Sequence, residues 1–218
     1  LQAEAWVSVG RTLAGARQFA DAHTAFAQGL QAAGAGAIGS AIAALRGQAW
    51  CAREAADPLA ALGLLAQARE IAAAAGLSAA GLGAAVDEAQ TLLSQGELER
   101  ARDRLHALDL RAAPAAVRGE ALSLLAQLAA RQREWPRADD LAGRSVTELR
   151  AAGEPRALGA ALYVAGQVAG ALGDGARCGA LLGEALGVAV RAGLPEQALI
   201  RATISRMTSP IGPPQELP

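Results

Sequence analysis

The chain has 218 residues, 52% of them hydrophobic but only 3% aromatic, so its apolar content is chiefly Ala, Leu and Val. Ala and Leu favour helices and strand-favouring residues are scarce, which excludes a β-rich fold and makes the chain all-α. The formal net charge is -1 with acids and bases interspersed, whereas a direct nucleic-acid binder would show a basic patch or stripe.

Helical spacing of apolar residues predicts eleven helices. The first two, over 2–16 and 18–33, carry Trp6, Val9, Gly10 and Leu13, then Ala22 and Phe26. The next two span 38–55 and 58–75, where Asp57-Pro58 supplies an N-cap and a proline at the first helical position. Helices over 79–95 and 97–110 meet at Gln95-Gly96-Glu97-Leu98, with Gly just past one helix end and an acid at the next start. Ala113-Pro114 precedes helices over 115–132 and 135–152, and Gly153-Glu154-Pro155 precedes those over 156–172 and 174–192. The eleventh, over 195–207, starts at Pro195 and reads as a cap. The tail over 208–218, rich in proline, is expected to be extended or disordered.

The helices repeat as pairs. A small residue opens the second helix at Ala22, Ala61, Ala101, Ala138 and Cys178, at intervals of 39, 40, 37 and 40 residues. Four residues later stand Phe26, Leu65, Leu105, Ala142 and Leu182, and three beyond those Gly29, Ala68, Leu108, Ser145 and Ala185. Spacings of four and three fall on one helical face, so these are candidate core residues. The first helix has its own small residue at Gly10, Gly47, Ala89, Ala126 and Gly166, which would let paired helices approach closely. The repeats run over about 2–36, 37–77, 78–113, 114–154 and 155–194, followed by the cap and the tail. No pair can bury its apolar face alone, so the copies must stack into a solenoid.

Trp6, Val9, Gly10, Leu13, Ala22 and Phe26 resemble the tetratricopeptide repeat (TPR) signature, W-x2-L-G-x2-Y followed by A-x3-F, and Ala89, Leu92, Gly96, Ala101 and Leu105 resemble it again. The resemblance implies a right-handed α-solenoid of five antiparallel helix pairs plus a C-terminal capping helix. The period is longer than the usual ~34 residues. This Ala/Leu/Arg-rich variety is similar to the helical repeats of large bacterial transcriptional regulators of the maltose-regulator, LuxR-type and antibiotic-regulatory kinds. Leu149-Arg150-Ala151-Ala152-Gly153-Glu154-Pro155-Arg156 and Ala189-Val190-Arg191-Ala192-Gly193-Leu194-Pro195 carry that likeness. In those proteins the repeats receive a partner or small-molecule inducer signal, while separate domains bind DNA and nucleotide.

In the tetratricopeptide fold the first helices line a concave groove that takes a protein or peptide. The position after each small residue then faces it, and holds Arg11, Gln48, Gln90, Gln127 and Gln167. The four glutamines would form a ladder of amide donors and acceptors for an extended peptide backbone. The other reading makes them solvent-exposed helix formers. Val7, Ala44, Val86, Ser123 and Tyr163 would give a neutral floor with Tyr163 its only aromatic anchor, and Arg11 and Arg131 would add charge at separated points. The groove type that clamps an acidic C-terminus uses Lys and Asn, and the chain has neither.

No catalytic, cofactor or metal site is expected. His23 and His106 lie in different repeats without converging ligands. Cys178 occupies a packed small-residue position, and Cys51, beside Trp50, has no neighbouring base to activate it. Two thiols without metal spacing suit a reducing cytoplasm, and the glycine-rich stretches lack a preceding strand and a Gly-Lys-Ser/Thr. The uncharged stretches are broken by Gly and Gln, so no membrane span is expected. The charged segment Glu97–Arg104 reads as a solvated face with pairs Glu97/Arg100 and Glu99/Arg102. The absence of Lys and Asn fits a GC-rich genome, and an opening Leu1 already inside a helix fits an excised fragment.

Overall fold

A computed structural model describes residues 1–34 and 36–208. Among them the regular elements are α1 (Gln2–Gly15), α2 (Phe19–Ala33), α3 (Ile38–Glu54), α4 (Pro58–Ala74), α5 (Ser78–Ser94), α6 (Leu98–His106), α7 (Ala115–Arg131), α8 (Trp135–Ala152), α9 (Pro155–Ala171), α10 (Gly175–Arg191) and α11 (Gln197–Thr208). Every helix from α1 to α10 packs on the next in the chain, and α1 touches α3, α3 touches α5, α5 touches α7 and α7 touches α9. The odd-numbered helices therefore form one wall of an all-α solenoid.

The repeat positions explain the stack. Ala22, Ala61, Ala101, Ala138 and Cys178 are all buried, as are Phe26, Leu65, Leu105, Ala142 and Leu182. Of the third set, Gly29, Ala68, Ser145 and Ala185 are buried and Leu108 is half-buried. The small residues of the odd helices seat the large ones. A methyl on Gly10 would lie 2.7 Å from the Phe26 ring, one on Gly47 would overlap the same ring, and one on Gly166 would lie 2.9 Å from Leu182. Phe26 thus keys α2 to both α1 and α3. Ser145 is admitted to the core because its hydroxyl donates to the Gly119 carbonyl at 2.7 Å.

The turn inside each pair needs one left-handed residue. Gly96 and Gly173 supply it at φ 78° and 82°, while Arg17, Ala56 and Arg133 adopt it as non-glycines at 61°, 59° and 61°. Asp57 and Asp174 cap α4 and α10 by accepting from the Ala60 and Arg177 amides at 3.0 Å. Repeats are also tied by ion pairs. Between repeats, Arg69 holds Glu88, 4% exposed, at 3.1 Å and Arg177 holds Asp139 at 2.8 Å, while within repeats Arg104 also holds Glu88 at 2.9 Å and Arg118 pairs with Glu148 at 2.7 Å. The expected Glu97/Arg100 and Glu99/Arg102 pairs form on α6.

The expected boundaries shift where side chains compete with helix continuation. α6 stops at His106 instead of continuing to residue 110, because Asp109 accepts the Arg111 amide at 3.1 Å in a turn that leads to Pro114. α11 begins at Gln197 instead of Pro195, since the Leu194 amide still bonds back to Ala189 at 2.8 Å. Thr208 ends α11, and the rest of the expected tail lies outside the described residues.

Candidate functional site

The odd helices line an open cavity of about 820 Å³, to which α1, α3, α5, α7, α9 and α11 all contribute side chains and into which Phe26, Leu65, Leu149 and Ala189 of the even helices reach. α3 presents Arg46, Trp50 and Arg53, spaced by four and three residues and so on one helical face. α5 presents Asp87 and Gln90, α7 Glu120, Ser123 and Gln127, and α9 Arg156, Tyr163 and Gln167. Leu199 and Ile200 of α11 close one side, where the Tyr163 hydroxyl lies 3.1 Å from Thr203 Oγ1.

Arg11, Gln90, Gln127, Gln167 and Tyr163, expected at the groove from repeat register, all line this cavity. Gln48 and Arg131 do not. Gln48 is only 7% exposed, with a buried Oε1 that has no hydrogen-bond partner among the described residues. The ladder therefore breaks at that rung, where α3 is packed between α1 and α5 and its Gly47 lies against the Phe26 ring. Arg131, on the last turn of α7, donates to the Leu93 carbonyl at 3.3 Å, so it satisfies the end of α5.

The expected neutral floor is also corrected. Arg46 Nε donates to Asp87 Oδ2 at 2.5 Å across α3 and α5. Burial works against the Arg46 charge, but Asp87's charge and hydrogen bond, with Glu120, outweigh it and leave the guanidinium above its usual pKa. Burial lowers the pKa of Arg53, and the like charge of Arg156 adds to the effect against the opposing pull of Asp87 and Glu54. Burial pushes the Glu120 carboxyl up to about 7, reinforced by Asp87 and Glu154 and opposed by Arg46.

Trp50 is a second aromatic anchor. Phe19 meets it edge-on at 6.1 Å, and the Arg156 guanidinium stacks over its ring at 4.3 Å while donating to Glu196 at 2.8 Å. This contact joins α3 to α9 across the cavity. The Arg46, Trp50, Arg53 spacing was open to sequence reading, since the three share a helical face. Glu120 and Arg156 had no such signal, because their role depends on how distant helices curve toward each other.

Other candidate chemistry is placed as follows. Cys51 is buried and burial pushes its thiol up to about 11, against the thiolate a nucleophile requires. Cys178 is buried, and His23 and His106 are exposed on separate helices. Among the described residues no group of His, Cys, Asp and Glu is arranged to hold a metal ion, and no helix is long and apolar enough to cross a membrane.

No protein-family model matches the sequence, and no curated protein does. Solved structures do match. A Podosopora anserina kinesin light chain-like protein of nearly identical TPR-like repeats matches 87% of this chain and 95% of its own, with 17% identity and a TM-score of 0.53. A point-substituted form of that protein does so over the same shares with 16% identity and a TM-score of 0.54. BtubC (BKLC) from P. vanneervenii matches 97% of this chain and 84% of its own, with 17% identity and a TM-score of 0.57. The fold is therefore a TPR-like helical solenoid, and none of these three is described as a transcriptional regulator.

Proposed function

We propose that the chain is a non-catalytic scaffold that binds a protein or peptide segment in the concave groove of its TPR-like solenoid. The observation that carries this reading is the continuous cavity of about 820 Å³ walled by successive odd helices and edged by α11. Gln90 and Gln167 are exposed and Gln127 half-buried on that wall, so their amides can meet a peptide backbone. Arg11 and Tyr163 flank them with charge and an aromatic face.

Phage display of random linear peptides on the purified chain tests the proposal. Peptides should enrich, and plugging the groove with Gln90→Trp plus Gln127→Trp should abolish their binding while circular dichroism stays helical. Binding that survives in the plugged variant places the site elsewhere.

A second reading draws on the cavity's size, which falls in the range of ~300–1,000 Å³ typical of small-molecule sites. In it the chain receives a small-molecule inducer as part of a transcriptional regulator. A metabolite mixture that raises the thermal midpoint of the native chain, but not of the plugged one, would favour it.

A further inference from the structure

The charges around the cavity divide into those the fold has satisfied and those it has not. Arg46 is bound by Asp87 at 2.5 Å, and Arg156 by Glu196 at 2.8 Å and by the Trp50 ring. Arg53 and Glu120 are each half-buried on the cavity wall, yet neither has a hydrogen-bond or ion-pair partner among the described residues. Arg11, Glu54 and Glu154 also line the cavity, but they are exposed and water solvates them. A partly desolvated charge without a counter-charge is unfavourable, so folds retain one mainly where something else supplies the partner.

The two unsatisfied charges have opposite sign and do not neutralise each other. Arg53 stands at the C-terminal end of α3 and Glu120 near the N-terminal end of α7, with the Asp87 and Arg46 pair electrostatically coupled to both sides. A segment crossing the groove therefore meets a cation, a neutralised pair, then a carboxylate. The surrounding fields do not cancel the cost of burial: Asp87 and Glu54 draw on Arg53 against the like charge of Arg156, and Arg46 draws on Glu120 against Asp87 and Glu154, yet burial prevails at both and none of these charges closes to an ion pair with either group.

We infer that the groove selects a peptide segment of a partner protein carrying one acidic and one basic side chain, the acid received by Arg53 and the base by Glu120. The inference rests on the peptide-groove reading and narrows it to a bipolar segment of fixed direction. The guanidinium of Arg53 has the planar fork that suits a carboxylate, and charge-assisted hydrogen bonds at both ends would set orientation as well as affinity.

The test is peptide display on the native chain, on Arg53→Gln and on Glu120→Gln, with circular dichroism to show that each is folded. Peptides enriched on the native chain should carry an acid and a base in constant order. Arg53→Gln should drop the acid requirement alone, and Glu120→Gln the base requirement alone. One enriched peptide, with its acid and its base changed in turn to amides, should lose about tenfold in affinity for the native chain from each change. The acid change should cost nothing further on Arg53→Gln, nor the base change on Glu120→Gln. Enriched peptides that are neutral or of one charge sign, or that bind native chain unaltered by the amide changes, overturn the inference and leave the groove reading standing. If no peptide enriches, or if enriched peptides bind equally with the groove plugged, the groove reading itself fails and the inference with it.

Discussion

Glu120 shows how burying one carboxyl can cost stability in a pH-dependent way. Its carboxyl, surrounded by Asp87, Glu154 and Arg46, is raised from 4.5 to about 7 by burial first and by the two acids next. As pH rises through 4.5 the unfolded chain loses this proton while the folded chain keeps it, so stability falls between pH 4.5 and about 7 and stays reduced above. Glu120→Gln removes the ionisation. At pH 8 the variant should be more stable than the native chain by up to about 3 kcal/mol, and near pH 4 the two should coincide. Urea midpoints at both pH values check this, and a gap that does not widen with pH contradicts it. Arg53 is the complementary case, a cation whose desolvation the charges of Asp87 and Glu54 offset only in part.

At the scale of elements, what the sequence reveals depends on whether a feature repeats. Positions such as Ala22, Leu65, Ala101 and Leu182 were legible because the same face must pack in every copy, so their spacing recurs with the helix period. Gln48 shares that register with Gln90, yet it is buried, because register fixes a direction while local packing fixes depth. Gly47, beside it, marks the tightest of these helix contacts. Its bare Cα lets α3 settle on the Phe26 ring, which Gly10 of α1 approaches from within its own pair. Gly47→Ala should therefore destabilise the chain by about 1–3 kcal/mol through overpacking, despite alanine's better helix propensity. Phe26→Leu makes room, so the combination with Gly47→Ala should lose less than the sum of the two single changes. Additive losses in thermal or urea unfolding would show that the three helices are not interlocked through this ring.

At the scale of the whole molecule, the solenoid's curvature is the feature that no local pattern carried, because it sums small rotations from repeat to repeat. That sum brings Arg156 of α9 over Trp50 of α3 at 4.3 Å, so non-adjacent parts of the chain meet across the groove. The contact is too weak to hold the fold. A half-exposed cation–π pair contributes about 1 kcal/mol, small beside the helix-on-helix packing along the odd wall. It is large enough to bias shape, since about 1 kcal/mol shifts a closed-to-open equilibrium roughly fivefold. Arg156→Gln keeps the side chain's polar character while removing both the stacking charge and the Glu196 ion pair. Its unfolding midpoint should move little, while spin labels on the exposed Ala55 and Ala151 should report a broader, longer distance distribution than in the native chain. Trp50→Leu should open the same distance by removing the other half of the contact. If the distributions stay unchanged in both variants, the odd-helix packing alone sets the curvature and the cross-groove contact follows from it.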